Sequence, residues 1–152
     1  MINEYKLIVN ENGLPMLFIN NTFDETKHLV RTSEIVDFIN KQYKLNICVQ
    51  EHVYLFCFND NQDVLGVFEI SRGSNTKALI PIKEILISVL LTGANNVILI
   101  HNHPNGNPNF SYEDINITNR LKFALSQIEV DLLDHILISQ DLYSSMLNEN
   151  II

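Results

Sequence analysis

A three-layer α/β (α+β) sandwich, with a mixed β-sheet between helices, is the fold that these 152 residues predict. Three patterns point to it. The apolar runs EHVYLFCFND (51–60) and DVLGVFEIS (63–71) read as antiparallel strands joined at an Asn/Asp turn. RTSEIVDFINKQY (31–43) and IKEILISVLLT (82–92) carry apolar residues at helical spacing, so each has a face to bury. After residue 96 comes a strand–helix–strand unit.

Each element has a local reason. YKLIVN (5–10) reads as a strand, ENG as a turn, and PMLFIN (15–20) as the strand that pairs back. Ile35, Val36, Phe38, Ile39 and Tyr43 fall on one helical face, with Thr32 or Ser33 as the cap. Pro81 takes the first position of the next helix and Gly93 follows its last turn. Ile82, Ile85, Leu86, Val89 and Leu90 give that helix a wide face for a sheet. NVILIHNH (96–103) is an apolar strand that runs into the polar loop PNGNPNF. A helix begins at Ser111, and DLLDHILIS (131–139) is one more strand. The tail SSMLNENII fits no single element.

Composition narrows the function classes. The net charge is −8 and the ten basic residues are scattered, which argues against direct binding to a phosphate backbone. Cys48 and Cys57 form neither a C-x-x-C pair nor a disulfide framework, which suits a reducing compartment. The N-terminus has no signal-peptide pattern and no apolar run is long enough to cross a membrane. The expectation is a cytoplasmic protein with no membrane partner.

The chemistry concentrates in HNHPNGNPNFSYED (101–114). Residues i and i+2 of a strand share a face, so His101 and His103 aim together. Two imidazoles at that spacing can reach one zinc, and Asp114, in the first turn of the next helix, is a candidate third ligand. Three protein ligands leave a fourth position open for chemistry. Ser111 and Asp114 are equally explained by a helix capping box, S-x-x-D before an apolar run. The two readings are compatible. The tripeptide HNH is not the spread-out motif of HNH nucleases, and the H-x-E and P-C-x-x-C pair of zinc deaminases does not occur.

Glu51, His101-Asn-His103-Pro, and Ser111-x-x-Asp114 in that order resemble the JAMM (MPN+) metalloprotease signature. The wider run resembles the RadC-like branch of JAB domains, through EHVYLFCFND, ALIPIKEIL, VILIHNHPNGNPNFSYEDINITNRLK and DLLDHILIS. Asn105 and Phe110 stand where many relatives have Ser and Pro. The resemblance covers about residues 45–145, so residues 45–152 are read as the JAB/MPN domain and 1–44 as an N-terminal strand/helix extension packed on it. Members often carry a helix-hairpin-helix domain upstream, for which this chain has no room, so the likeness is to the stand-alone form.

The resemblance implies a cytidine-deaminase-like fold and one Zn2+ per chain on His101, His103 and Asp114. It implies a zinc-activated water that attacks an amide or isopeptide carbonyl in a protein or peptide-like substrate. Glu51 would be the general acid/base and Ser111 would hydrogen-bond the water or oxyanion. Glu69, mid-strand, is the rival for the base, and Glu84 is better read as favourable charge at a helix start. Asp134 and His135 are candidates to orient a ligand histidine from behind, or a polar pair at the sheet rim. His52 alternates to the face opposite Glu51. RadC-like proteins also carry a DNA-repair label, so a DNA-associated role or a non-catalytic interaction module is the alternative.

Overall fold

The computed structural model describes residues 1–73 and 80–152. The chain runs β1 (Ile2–Val9), β2 (Pro15–Phe23), α1 (Thr32–Tyr43), β3 (Glu51–Phe58), β4 (Val64–Gly73), α2 (Ile82–Thr92), β5 (Asn96–Asn102), α3 (Tyr112–Ser126), β6 (Asp131–Ser139) and β7 (Leu142–Ser145). Ala78 and Leu79, which open the ALIPIKEIL segment, lie outside the described residues.

The strands form one mixed sheet in the order β2-β1-β4-β3-β5-β6-β7. β3 pairs antiparallel with both β4 and β5, while β5 and β6 run parallel with α3 between them. β1 meets β4 in parallel at a single register pair, Glu4 opposite Val67. The β1–β2 hairpin is longer than its apolar letters suggest, because pairing extends to Ile2 opposite Phe23.

β3 explains the layering. Successive side chains of a strand point to opposite faces. Tyr54, Phe56 and Phe58 enter a core with Ile35, Val36, Phe38 and Ile39 of α1. Val53, Leu55 and Cys57 enter a second core with Ile85 and Val89 of α2 and Leu121 and Leu125 of α3. A strand buried on both faces reads as the continuous apolar run that this one is. α1 therefore covers one face of the sheet, and α2 and α3 cover the other.

The helix ends hold two departures from the sequence reading. Thr32 and Ser33 lie inside α1, whose N-cap is Arg31. The work of a cap falls to Glu34, whose carboxylate accepts from the Val30 and Arg31 N–H groups. Arg31 was unreadable as a cap because its own side chain does not cap; it pairs with the same carboxylate. Pro81, expected as the first residue of α2, is instead its N-cap, so the helix begins one place later at Ile82, and Gly93 ends it in the left-handed region at φ 69°.

Candidate metal centre

β5 ends in the sequence His101-Asn102, and His103 follows directly. His101 sits opposite Val53 at the last register pair between β5 and β3. Beyond that pair the Asn102 side chain carries the ladder on. Its Nδ2 donates to the Gln50 carbonyl at 3.0 Å and its Oδ1 accepts from His52 N at 2.7 Å. Both neighbours of Glu51 are thus held by one buried amide, which brings the start of β3 up to the histidines.

The loop after His103 returns to α3 at Ser111. Ser111 Oγ accepts from Asp114 N at 3.0 Å, and Asp114 Oδ2 accepts from Ser111 N at 2.8 Å, a complete capping box. The same Asp114 oxygen lies 3.4 Å from His101 Nε2 and 3.3 Å from His103 Nε2. The two Nε2 atoms are 3.1 Å apart. Capping and convergence on the histidines are therefore simultaneous. One ligand-type atom from each of Glu51, His101, His103 and Asp114 lies within 4.8 Å of all the others.

The surroundings orient these groups. His103 Nδ1 lies 2.9 Å from the Asn107 carbonyl, which can only accept, so this nitrogen donates and Nε2 faces the centre. Gly106, in the same loop, has φ 77°, and an added Cβ would come within 2.9 Å of the Gln140 amide. The positive φ favours glycine there, and a larger residue would also push the Gln140 side chain aside. The Phe110 ring packs 6.3 Å from the His101 ring and 5.6 Å from that of His135. His101 Nδ1 lies 2.6 Å from His135 Nε2, and His135 Nδ1 lies 2.6 Å from Thr118 Oγ1.

Charge is strongly biased here. Burial alone would push the Asp114 carboxyl up, but hydrogen bonds to His101 and His103 outweigh it and hold it well below the usual carboxylate range. Burial opposes charge on His103, yet hydrogen bonds to Asp114 and the Asn107 carbonyl and the nearby Glu51 charge raise it. His135 is pushed well down, first by burial and then by His101.

Of the other residues weighed in sequence, Asp134 is turned elsewhere. Its carboxylate accepts from Ser145 Oγ at 2.6 Å, from Leu147 N at 3.0 Å and from His135 N at 2.8 Å. Glu69 pairs with Arg72 at 2.8 Å and lies 3.3 Å from His52, whose ring stacks on Tyr54. Glu84 sits in the first turn of α2. Sequence reasoning missed Asn102 and Thr118. The signal for Thr118 was its place four residues after Asp114, on the same helical face.

Residues 29–151 match the RadC-like JAB domain. A UPF0758 protein of Clostridium acetobutylicum is 29% identical over 158 residues, covering 99% of this chain and 69% of the relative. One from Coprothermobacter proteolyticus is 31% identical over 137 residues, 89% of this chain and 58% of the relative. One from Clostridium novyi is 33% identical over 103 residues, 68% of this chain and 45% of the relative. The chain thus spans about half to two thirds of the length of these relatives. With its seven-stranded mixed sheet between helices, the chain belongs to the RadC-like JAB domain family of the JAB/MPN superfamily.

Proposed function

We propose that this chain is a zinc-dependent hydrolase of JAMM type, acting on an amide or isopeptide bond of a protein or peptide-like substrate. The observation that carries the reading is the triangle of His101 Nε2, His103 Nε2 and Asp114 Oδ2, with edges of 3.1, 3.4 and 3.3 Å. A tetrahedral zinc with ligands at about 2.0–2.1 Å has ligand–ligand edges of about 3.3–3.4 Å, so the donor set fits the ion. Two imidazoles and a carboxylate are also the chemistry zinc takes in catalytic sites.

His101, His103 and Asp114 would hold the ion. Bound zinc supplies Lewis acidity, bringing the pKa of water from about 16 to about 7 and polarising a carbonyl. Glu51 then takes a proton from water and returns it to the departing amine, the work of a general acid/base. Ser111 Oγ uses a lone pair on Asp114 N, which leaves its O–H to donate to a developing oxyanion. Asn102 holds Glu51 in place through residues 50 and 52.

Elemental mass spectrometry of the purified protein tests the centre. One zinc per chain, lost in His103→Ala and Asp114→Ala, supports it; no zinc in the wild type after loading sinks it. Zinc-loaded protein should then cleave a fluorogenic peptide amide or a lysine-isopeptide probe, and Glu51→Gln should not. Zinc retained with neither probe cleaved would leave a metal-binding module and remove the hydrolase step.

A further inference from the structure

β2 forms one edge of the sheet and β7 the other. The outward N–H and C=O groups of an edge strand can template another chain, so soluble proteins blunt such edges with short strands, charges or prolines. β7 follows that rule, with only four residues. β2 does not. It has nine residues, no Asp, Glu, Lys or Arg, and its one proline stands at the first position. Among the described residues no strand pairs with its outer side. Every residue of β2 except Leu17 and Phe23 is exposed. The helix layer leaves this end of the sheet bare. α1 packs where Ile2 opposes Phe23 and not at the far end of the hairpin. At that far end Ile8 opposes Met16, and Phe18, two residues on, shares their face. These three side chains are 37%, 39% and 52% exposed, and Val9, Leu14 and Ile19 beside them are more than half exposed.

We propose that this edge joins a second copy of the chain, β2 against β2, antiparallel about a two-fold axis, in a closed dimer with one continuous sheet. Sequence makes the edge self-complementary. Residues 15–19, PMLFI, are an uncharged apolar block. Pairing that block about Leu17 sets Leu17 against Leu17 and each Met16 against the other copy's Phe18, cross-strand pairs of the stabilising kind. The register shift opposite Glu4 and Tyr5 stays outside the overlap. Charge selects the same place. Two chains of net charge −8 repel each other, and β2 is a surface on which they can meet without opposing like charges. Lys6, opposite Phe18 on β1, falls at the rim. Closure limits the assembly to two copies: once the β2 edges are joined, the outer edges are the two short β7 strands. The join is at the small end of specific interfaces, about 1,000 Å² in total, so the dimer exchanges with monomer. On each copy β1, β4 and β3 separate it from β5 and the candidate metal centre, so it does not depend on the zinc reading.

The test is sedimentation velocity of the full chain from about 1 μM to about 1 mM, a range that brackets a weak dimer. The mass should rise from 17.5 kDa toward twice that value and no further. Added salt should leave the association unchanged or strengthen it, because it screens the repulsion between two acidic chains and favours apolar burial. Phe18→Lys places a charge on the edge and should weaken the dimer by about tenfold or more, with an unchanged melting temperature. Phe18→Leu should keep it. Hydrogen exchange gives a readout that needs no variant: β2 amides of the wild type should exchange more slowly at the high concentration than at the low one. A wild type that stays monomeric overturns the proposal, and so does a dimer that Phe18→Lys leaves intact or that salt dissociates. Assembly beyond two copies overturns the closure, and β2 exchange independent of concentration overturns the edge as the interface.

Discussion

Asn102 stands between the two histidines with 2% of its surface exposed and both ends of its amide engaged. Asn102→Ala removes two hydrogen bonds and leaves a buried carbonyl and N–H without them. The expected cost is about 1–3 kcal/mol, read from urea unfolding. Zinc stoichiometry should stay at one, while any turnover that depends on Glu51 should fall. Asp134 gives the opposite contrast to His135. Asp134→Ala should also cost about 1–3 kcal/mol, because it unties β6 from Ser145 and Leu147, yet it should leave zinc affinity unchanged. Chelator competition checks it. The histidines, Ser111 and Asp114 were legible because their partners lie within fourteen residues along the chain. Asn102 and Thr118 were not, since their partners are residues 50 and 52 in one case and 135 in the other. Asp134 and His135 were read together as one pair, although neighbours in a strand face opposite ways, and only His135 meets His101.

Glu34 sets the start of α1. Hydrogen bonds from the Arg31 backbone and side chain, then from the Val30 backbone, bring its carboxyl from 4.5 down to about 2. A carboxyl lowered on folding adds stability that is complete above its unfolded value and disappears as pH falls through its folded one. Wild type should therefore exceed Glu34→Gln in urea midpoint above pH 4.5, and the difference should shrink toward zero by about pH 2. A difference that stays constant across that window would show that the carboxylate's charge has no part in the cap. The helices were legible from their spacing, and the Ser111 cap from its S-x-x-D pattern. The cap of α1 was less so: a Ser/Thr pair at the start of an apolar run invites the wrong N-cap when a glutamate three places on from Arg31 does that work instead.

The molecule as a whole is organised by strands buried on both faces, and β3 is the clearest. Phe56 is fully buried and meets Phe38 edge-on at 5.7 Å. Phe56→Ala should cost about 3–5 kcal/mol, measured by chemical denaturation. The metal reading adds a second prediction at this scale. A ligand that binds only the folded state stabilises it by about 2.7 kcal/mol at a hundred times its dissociation constant, so chelation should lower the melting temperature. His103→Ala should melt at the same temperature with and without chelator. Fold class was legible because runs such as VYLFCF and VILI can only be two-sided strands or buried helices, and their lengths and turn signals chose strands. Strand order was not, since β4 and β5 are separated by β3 in space and joined through α2 in sequence. Among the described residues no helix is long and apolar enough to cross a membrane.

A single oxygen, Asp114 Oδ2, both accepts from the Ser111 N–H and points at the two histidines. On the proposed zinc reading, fraying of the first turn of α3 would therefore carry the Asp114 ligand away from the centre. If Asp114 holds the ion, the helix end becomes a clock for it: zinc release would follow the opening of that turn, unless His101 and His103 hold the ion alone. Amide hydrogen exchange at Asp114 and Ile115 should slow when zinc is loaded, and should report the same opening that limits zinc release to a chelator.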